Sequence, residues 1–163
     1  MAKLKAILDK CLEVLVMVAV AVLVIDVLWQ VFTRFILKNP SDWTDELATF
    51  LLIWVALLGS AVALGRGAHL GIDYFVSKLD NRVRIKTELF VFAVVALFSL
   101  LVMVFGGIGL VARTFELKQV SVSLNLPMGY VYLAVPISGA FLVLYSLIGF
   151  FERFNSSKQG GAA

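Results

Sequence analysis

Residues 12–35 read LEVLVMVAVAVLVIDVLWQVFTRF, an apolar run interrupted between Glu13 and Arg34 by a single charge, Asp26. About 20 apolar residues in a helix cross the hydrocarbon core of a bilayer, so this stretch predicts a membrane-spanning helix. Three more such runs follow at 47–64, 87–111 and 130–151. Hydrophobic residues make up 61% of the 163 and charged residues 15%, with a mean hydropathy of +0.99. A soluble domain of this size has no surface on which to carry so much apolar area. The fold class that follows is an all-α integral membrane protein, one domain of four transmembrane helices over residues 1–154.

The charges between the runs set the orientation, because Lys and Arg are retained on the cytoplasmic side. Lys3, Lys5 and Lys10 precede the first run, Arg66, Lys78, Arg82, Arg84 and Lys86 lie between the second and third, and Arg153 and Lys158 follow the fourth. The opposite side holds only Arg34, Lys38, Arg113 and Lys118. Ten against four predicts that both termini are cytoplasmic and that connections 36–46 and 112–129 lie outside. The net charge of +3 therefore reports topology and contact with anionic lipid, and gives no sign of a nucleic-acid partner. The lysines before the first run also resemble a signal peptide with a small-residue pattern at Ala19, Val20 and Ala21. The run continues through Ile25 to Trp29, however, so it is expected to stay as a helix. A single cysteine, Cys11, excludes an internal disulfide and falls on the cytoplasmic side.

Between the second and third runs, Ile72, Phe75, Val76, Leu79 and Val83 recur at helical spacing opposite Asp73, Ser77, Asp80 and Arg84. This predicts an amphipathic helix over 71–84 lying in the interface, loosened from the second span by Gly65, Gly67 and Gly71. Residues 120–126 alternate with period 2, as a strand would. With no strand to pair with, they read as an extended segment on the outer face, ended by Pro127 at the first turn of helix 4. The polar, Gly-rich residues 155–163 read as a disordered tail.

Asp26 is the ionisable residue most out of place, since insertion scales charge roughly 2.5–3.5 kcal/mol for a carboxylate at mid-membrane. Gln30 and Arg34 follow at four and eight positions, so the three are expected to form one polar stripe. The stripe serves either as a structural polar contact or as a path for an ion or a partner. At the start of the second span, Asp45 and Glu46 are expected to cap the helix dipole, with Trp43 at headgroup level. Ala56, Gly59, Ser60, Ala63 and Gly67 keep one face of that helix free of bulk, for packing within the chain or against another subunit. Gly106, Gly107, Gly109, Pro136 and Gly139 predict bends in the last two spans. His69 and Asp73 read as a hydrogen-bonded pair, because one histidine and one cysteine do not make a metal centre.

No nucleophile with a base, no phosphate loop and no metal cluster is present, so the chain is not read as an enzyme. The paired repeats and broken helices of a self-sufficient transporter are missing too, which points to a partner protein. The order Trp43, Asp45, Glu46, Trp54, Gly59, Ala61, Ala63, Arg66, Gly67, His69, Asp73 resembles the small membrane subunit of tripartite ATP-independent periplasmic (TRAP) transporters, the DctQ-type family. The approach to helix 4 through Leu126 and Pro127 fits as well. Among members, the chain most resembles the small subunit of a sialic-acid system.

The resemblance implies a multi-pass protein of the bacterial inner membrane with three kinds of neighbour. These are a large membrane subunit that carries substrate and sodium by an elevator-like movement, a periplasmic substrate-binding protein, and lipid. This chain is then a scaffold with no cofactor or substrate site, any sodium being bound in the large subunit, and the motif residues become candidates for the subunit interface. Lys38, Asp42, Glu116 and Lys118, on the outer connections, become candidates for docking the periplasmic protein. The carried solute is an organic anion of the sialic-acid or C4-dicarboxylate class. Two other classes remain, a small homodimeric proton-coupled exporter using Asp26 and a membrane anchor of a respiratory enzyme. The single His69 gives the second little support.

Overall fold

A computed structural model describes residues 2–39, 41–66 and 81–159, with side chains described for 8–39, 41–66 and 83–154. The described elements are α1 (Ala2–Phe35), α2 (Asp42–Gly65), α3 (Asn81–Phe98), a π-helical segment (Ser99–Gly106), α4 (Gly107–Glu116), α5 (Met128–Tyr132) and α6 (Ala134–Gln159). Four helices are long and apolar enough to cross a membrane: Leu8–Phe35, Asp42–Gly65, Val83–Glu116 and Met128–Phe154.

Several boundaries differ from the sequence expectation. The first helix starts ten residues before Leu12, and the second starts at Asp42, before the apolar run at 47, because polar residues prolong a helix that hydropathy alone ends. Residues 81–84, expected at the end of an interfacial helix, form the first turn of α3. The rest of that expected helix, with Gly67, His69 and Asp73, lies outside the described residues. The last helix runs on to Gln159, through five residues read as tail; 160–163 lie outside the described residues.

The third span changes pitch at Ser99, continuing from α3 through wide π turns that close at the glycine cluster Gly106, Gly107 and Gly109, where α4 begins. The fourth is interrupted at Leu133, and the cause is local. Pro136 has no N–H to return to Tyr132, four residues back, so the ladder breaks there and α5 ends at Tyr132. A Cβ on Gly107 would lie 3.0 Å from the Pro136 ring, and one on Gly139 would lie 2.7 Å from Met103 Cβ. Glycine at both places lets the two backbones approach, which is how helices gain contact in a lipid solvent.

The helices form a row. α1 packs on α2, α2 on α6, and α6 on α3 and the π segment, with no close approach between α1 and α3 among the described residues. Burial follows that order: 11% of the apolar window is buried in the first and third spans, 17% in the second and 39% in the fourth. α2 and α6 are the inner helices of the row, and α6 is the more buried. A closed bundle would have buried a face on each span, and the row leaves broad faces of α1, α2 and α3 open instead. The core lies where α1, α2 and α6 meet, around Leu12, Leu58, Ala61, Leu64, Leu142 and Tyr145, with Trp54 and Val16 against it.

Candidate functional site

Along α1 from Leu12 on, the residues turned from solvent or lipid, Glu13 apart, are Leu12, Val16, Ala19, Leu23, Asp26, Gln30 and Thr33. Their spacing alternates four and three, the seam by which two helices interlock, and the seam faces α2. Asp26 and Gln30 belong to it, as expected from sequence. Arg34 does not: it is exposed, because a helix of 3.6 residues per turn carries the eighth position off a seam that returns every seven. Thr33 takes its place, 4% exposed. The polar stripe is thus 26, 30 and 33.

Polar contacts gather at the two ends of the row. At the end holding the α1–α2 turn, the Gln30 amide donates to Asp45 Oδ1. Thr33 Oγ1 lies 3.4 Å from Ser41 Oγ, which lies 3.1 Å from Thr44 Oγ1, so three hydroxyls tie the turn to both helices. Lys38 enters the left-handed region there, with φ 52°, and ends the helix as glycine or asparagine more often does.

Glu46 corrects the expected helix cap. Asp42 and Asp45 occupy the first turn of α2, where the dipole favours negative charge, but no side chain caps the helix at Ser41. The Glu46 carboxylate turns to the far connection instead. The backbone N–H groups of Val122, Ser123 and Leu124 donate to it at 3.0, 3.1 and 3.0 Å. Segment 120–126, expected to be extended, is a compact loop: Ser121 N donates to Leu126 O and Met128 N to Gln119 O, both at 2.9 Å. Asn125 supplies a left-handed turn with φ 52°. Pro127 stands just before α5 rather than within its first turn.

At the other end, Arg66 Nη2 lies 2.7 Å from Glu13 Oε1, linking α2 to α1. Tyr145 on α6 donates its hydroxyl to Asp9 Oδ1 at 2.5 Å, while its ring lies where a Cβ on Gly65 would come within 3.2 Å. Glu88 on α3 is held by Arg84 at 3.1 Å and by Arg153 of α6 at 3.0 Å. Polar pairs at this end thus join α2 to α1, α6 to α1 and α6 to α3. Between the two ends Asp26 is alone, 5% exposed and with neither carboxylate oxygen hydrogen-bonded.

The remaining motif residues divide by exposure. Trp54 and Ala63 are partly buried, Trp43 is 42% exposed, and Lys38, Asp42, Glu116 and Lys118 are all exposed at the end where the two loops lie. Among the described residues, the small-residue face of α2 is open at Ala56, Gly59 and Ser60, while Gly67 lies outside them. Ala56 and Ser60 are exposed, and a Cβ on Gly59 would meet nothing within 4 Å. Among the described residues no group of three His, Cys, Asp or Glu is placed to hold a metal. Two cavities stand out, one of about 10 Å³ beside Asp9, Glu13 and Arg66 and an apolar one of about 170 Å³ between α3 and α6. Neither offers the roomy cluster of polar groups that an organic anion in transit would need: the first is polar but has space for about one water, and the second is lined by apolar side chains and Ser146.

A helical membrane chain with open faces, polar ties at its ends and no cluster of this kind in either cavity has the character of a component. Comparison with known proteins gives the system. The family model described as "Tripartite ATP-independent periplasmic transporters, DctQ component" matches residues 23–156. The chain belongs to this DctQ family. It is 29% identical over 146 residues to the sialic acid TRAP transporter small permease protein SiaQ of Vibrio cholerae, covering 88% of this chain and 82% of that protein. To the C4-dicarboxylate TRAP transporter small permease protein DctQ of Rhodobacter capsulatus it is 32% identical over 100 residues, 61% of this chain and 44% of that one. A stretch of 62 residues, 38% of this chain, is 32% identical to a tenth of the sialic acid TRAP transporter permease protein SiaT of Haemophilus influenzae. As a DctQ-type small permease subunit, the chain has relatives that are transporter components, in keeping with a sequence that carries no enzymatic constellation.

Proposed function

We propose that this subunit is the fixed scaffold beside a large membrane permease in the bacterial inner membrane. It supports sodium-coupled, elevator-type uptake of an organic anion of the sialic-acid or C4-dicarboxylate class. The observation that carries this reading is the row of helices, which among the described residues leaves Ala56, Gly59 and Ser60 of α2 open and so presents a second subunit with a surface for close backbone approach. Two relatives named for sialic acid and one for C4-dicarboxylates support the solute class. A segment like part of this chain occurs inside a permease protein of which it makes up only a tenth, which supports a large permease as its physical neighbour.

On this reading both termini are cytoplasmic, and the end with the Glu46-held loop faces the periplasm. Lys38, Asp42, Glu116 and Lys118 then form a mixed-charge rim for the periplasmic substrate-binding protein, acting on encounter more than on affinity. Sodium is bound in the large subunit, and this chain holds no cofactor. Purification from the native membrane in gentle detergent, followed by mass spectrometry, tests the assignment. A large polytopic permease in equal amount is expected. Recovery of a homodimer alone overturns the scaffold reading and returns attention to Asp26 and a small exporter. Charge reversal at Lys38 and Lys118 together is expected to slow uptake at low salt; unchanged uptake refutes the docking rim.

A further inference from the structure

On α3, Arg84, Glu88, Phe92 and Ala96 follow at four-residue spacing; on α6, Ser146, Phe150 and Arg153 follow at four and three. Each series lies along one face of its helix, and the two faces meet. Arg153 Nε is 3.0 Å from Glu88, and a Cβ on Gly149 would lie 2.6 Å from the Phe92 ring. The seam so formed has a charged end and an apolar groove. At the charged end one nearly buried carboxylate, Glu88, is shared by two arginines whose side chains remain 42% and 47% exposed. One turn further along each helix begins the cavity of about 170 Å³, lined by Phe92, Ala93, Ala96, Ser146, Leu147 and Phe150.

We propose that this seam is a binding site for one anionic glycerophospholipid, with the phosphate on Arg84 and Arg153 and an acyl chain in the groove. A guanidinium carries five N–H donors, and Glu88 takes one contact from each, so donors are left facing outward on both arginines. Among the described side chains, the charges on these two helices at this end are Arg84, Lys86 and Arg153 against Glu88 and Glu152, an excess of one positive charge that suits an anionic headgroup at a membrane surface. Distance fits as well: along the helix axes the groove starts about 4.5 Å from Arg153, at Phe150, and about 12 Å from Arg84, at Phe92, which places a charged group at the head of an apolar chain. Free phosphate has no use for the groove, and a neutral lipid has none for the arginine pair.

The test is native mass spectrometry of the full chain, alone and in its complex with the large permease, with phosphatidylglycerol, with diacylglycerol of the same chains, and with inorganic phosphate. One phosphatidylglycerol per chain is expected to survive, in both preparations, at collision energies that strip diacylglycerol. Its occupancy is expected to fall roughly tenfold or more in the variant Arg84→Gln/Glu88→Gln/Arg153→Gln, which removes the cations without stranding the carboxylate. A similar loss is expected in Ala93→Phe, which plugs the groove from an exposed position and leaves the charges in place. Equal retention of diacylglycerol overturns the proposal. So does phosphatidylglycerol binding that Ala93→Phe leaves unchanged, which would mark a phosphate site only. Lipid held by the isolated chain but excluded from the complex also overturns it, because the permease itself would then fill the groove.

Discussion

Two glycines in this chain lead to opposite expectations, and the difference separates fold from assembly. A Cβ at Gly59 meets nothing within 4 Å, whereas one at Gly139 lies 2.7 Å from Met103 Cβ. Leucine at Gly59 removes a poor helix former from the middle of α2, worth roughly 0.5–1 kcal/mol in favour of the helix, and adds no clash within the chain. Leucine at Gly139 forces α6 away from the π segment, an overpacking cost of about 1–3 kcal/mol or more. Thermal unfolding of the purified subunit in detergent should therefore leave Gly59→Leu unchanged or slightly raised and Gly139→Leu lowered. Co-purification with a tagged large permease should reverse the picture for Gly59. If α2 presents that face to the permease, the same overpacking weakens association by about 5- to 150-fold, although the subunit itself is intact. A Gly59→Leu chain that unfolds normally, still captures the permease in full and supports normal uptake refutes α2 as the contact.

Asp26→Leu is expected to raise the unfolding temperature, since an unpartnered buried carboxyl costs about 1–3 kcal/mol, and to leave uptake by the assembled system intact. Loss of uptake with a stable fold contradicts a purely structural place for Asp26 in the α1–α2 seam. Glu46→Ala should free the amides of Val122, Ser123 and Leu124, read as faster hydrogen exchange at those three positions, with Glu46→Gln intermediate because one acceptor oxygen remains. Cys11 is an exposed free thiol, which the proposed topology puts on the cytoplasmic side. An impermeant thiol reagent should fail to label it in intact spheroplasts and should label it in inverted vesicles.

The spans and their number were legible in the sequence because each depends on the length of an apolar run, and helical spacing placed Asp26 and Gln30 on one face of α1. What escaped depended on contacts made at a distance. Glu46 followed Asp45 at the head of a helix, where a dipole cap is the sensible reading, and nothing local signals that its partners lie 76 to 78 residues on. Segment 120–126 alternates as a strand does, yet a lone alternating segment satisfies its amides by turning on itself and borrowing a carboxylate. The interruption at Leu133 was signalled by Pro136, since proline acts four residues upstream of itself, although the reading stopped at a bend. Arg34 was misplaced by counting in fours along a seam that repeats in sevens. The small face of α2 was visible from Gly59, Ser60 and Ala63, but the sequence left open whether it packs inward. The row settles that within the chain, because α6 lies against another side of α2, where Leu58, Ala61 and Leu64 are buried.

Uptake into proteoliposomes tests the central claim most directly, with the large permease, the periplasmic binding protein and this chain combined in every subset under a sodium gradient. Sodium-dependent uptake only when all three are present is the predicted result. Full uptake without this chain, or solute flux through this chain alone, would contradict its role as a scaffold subunit.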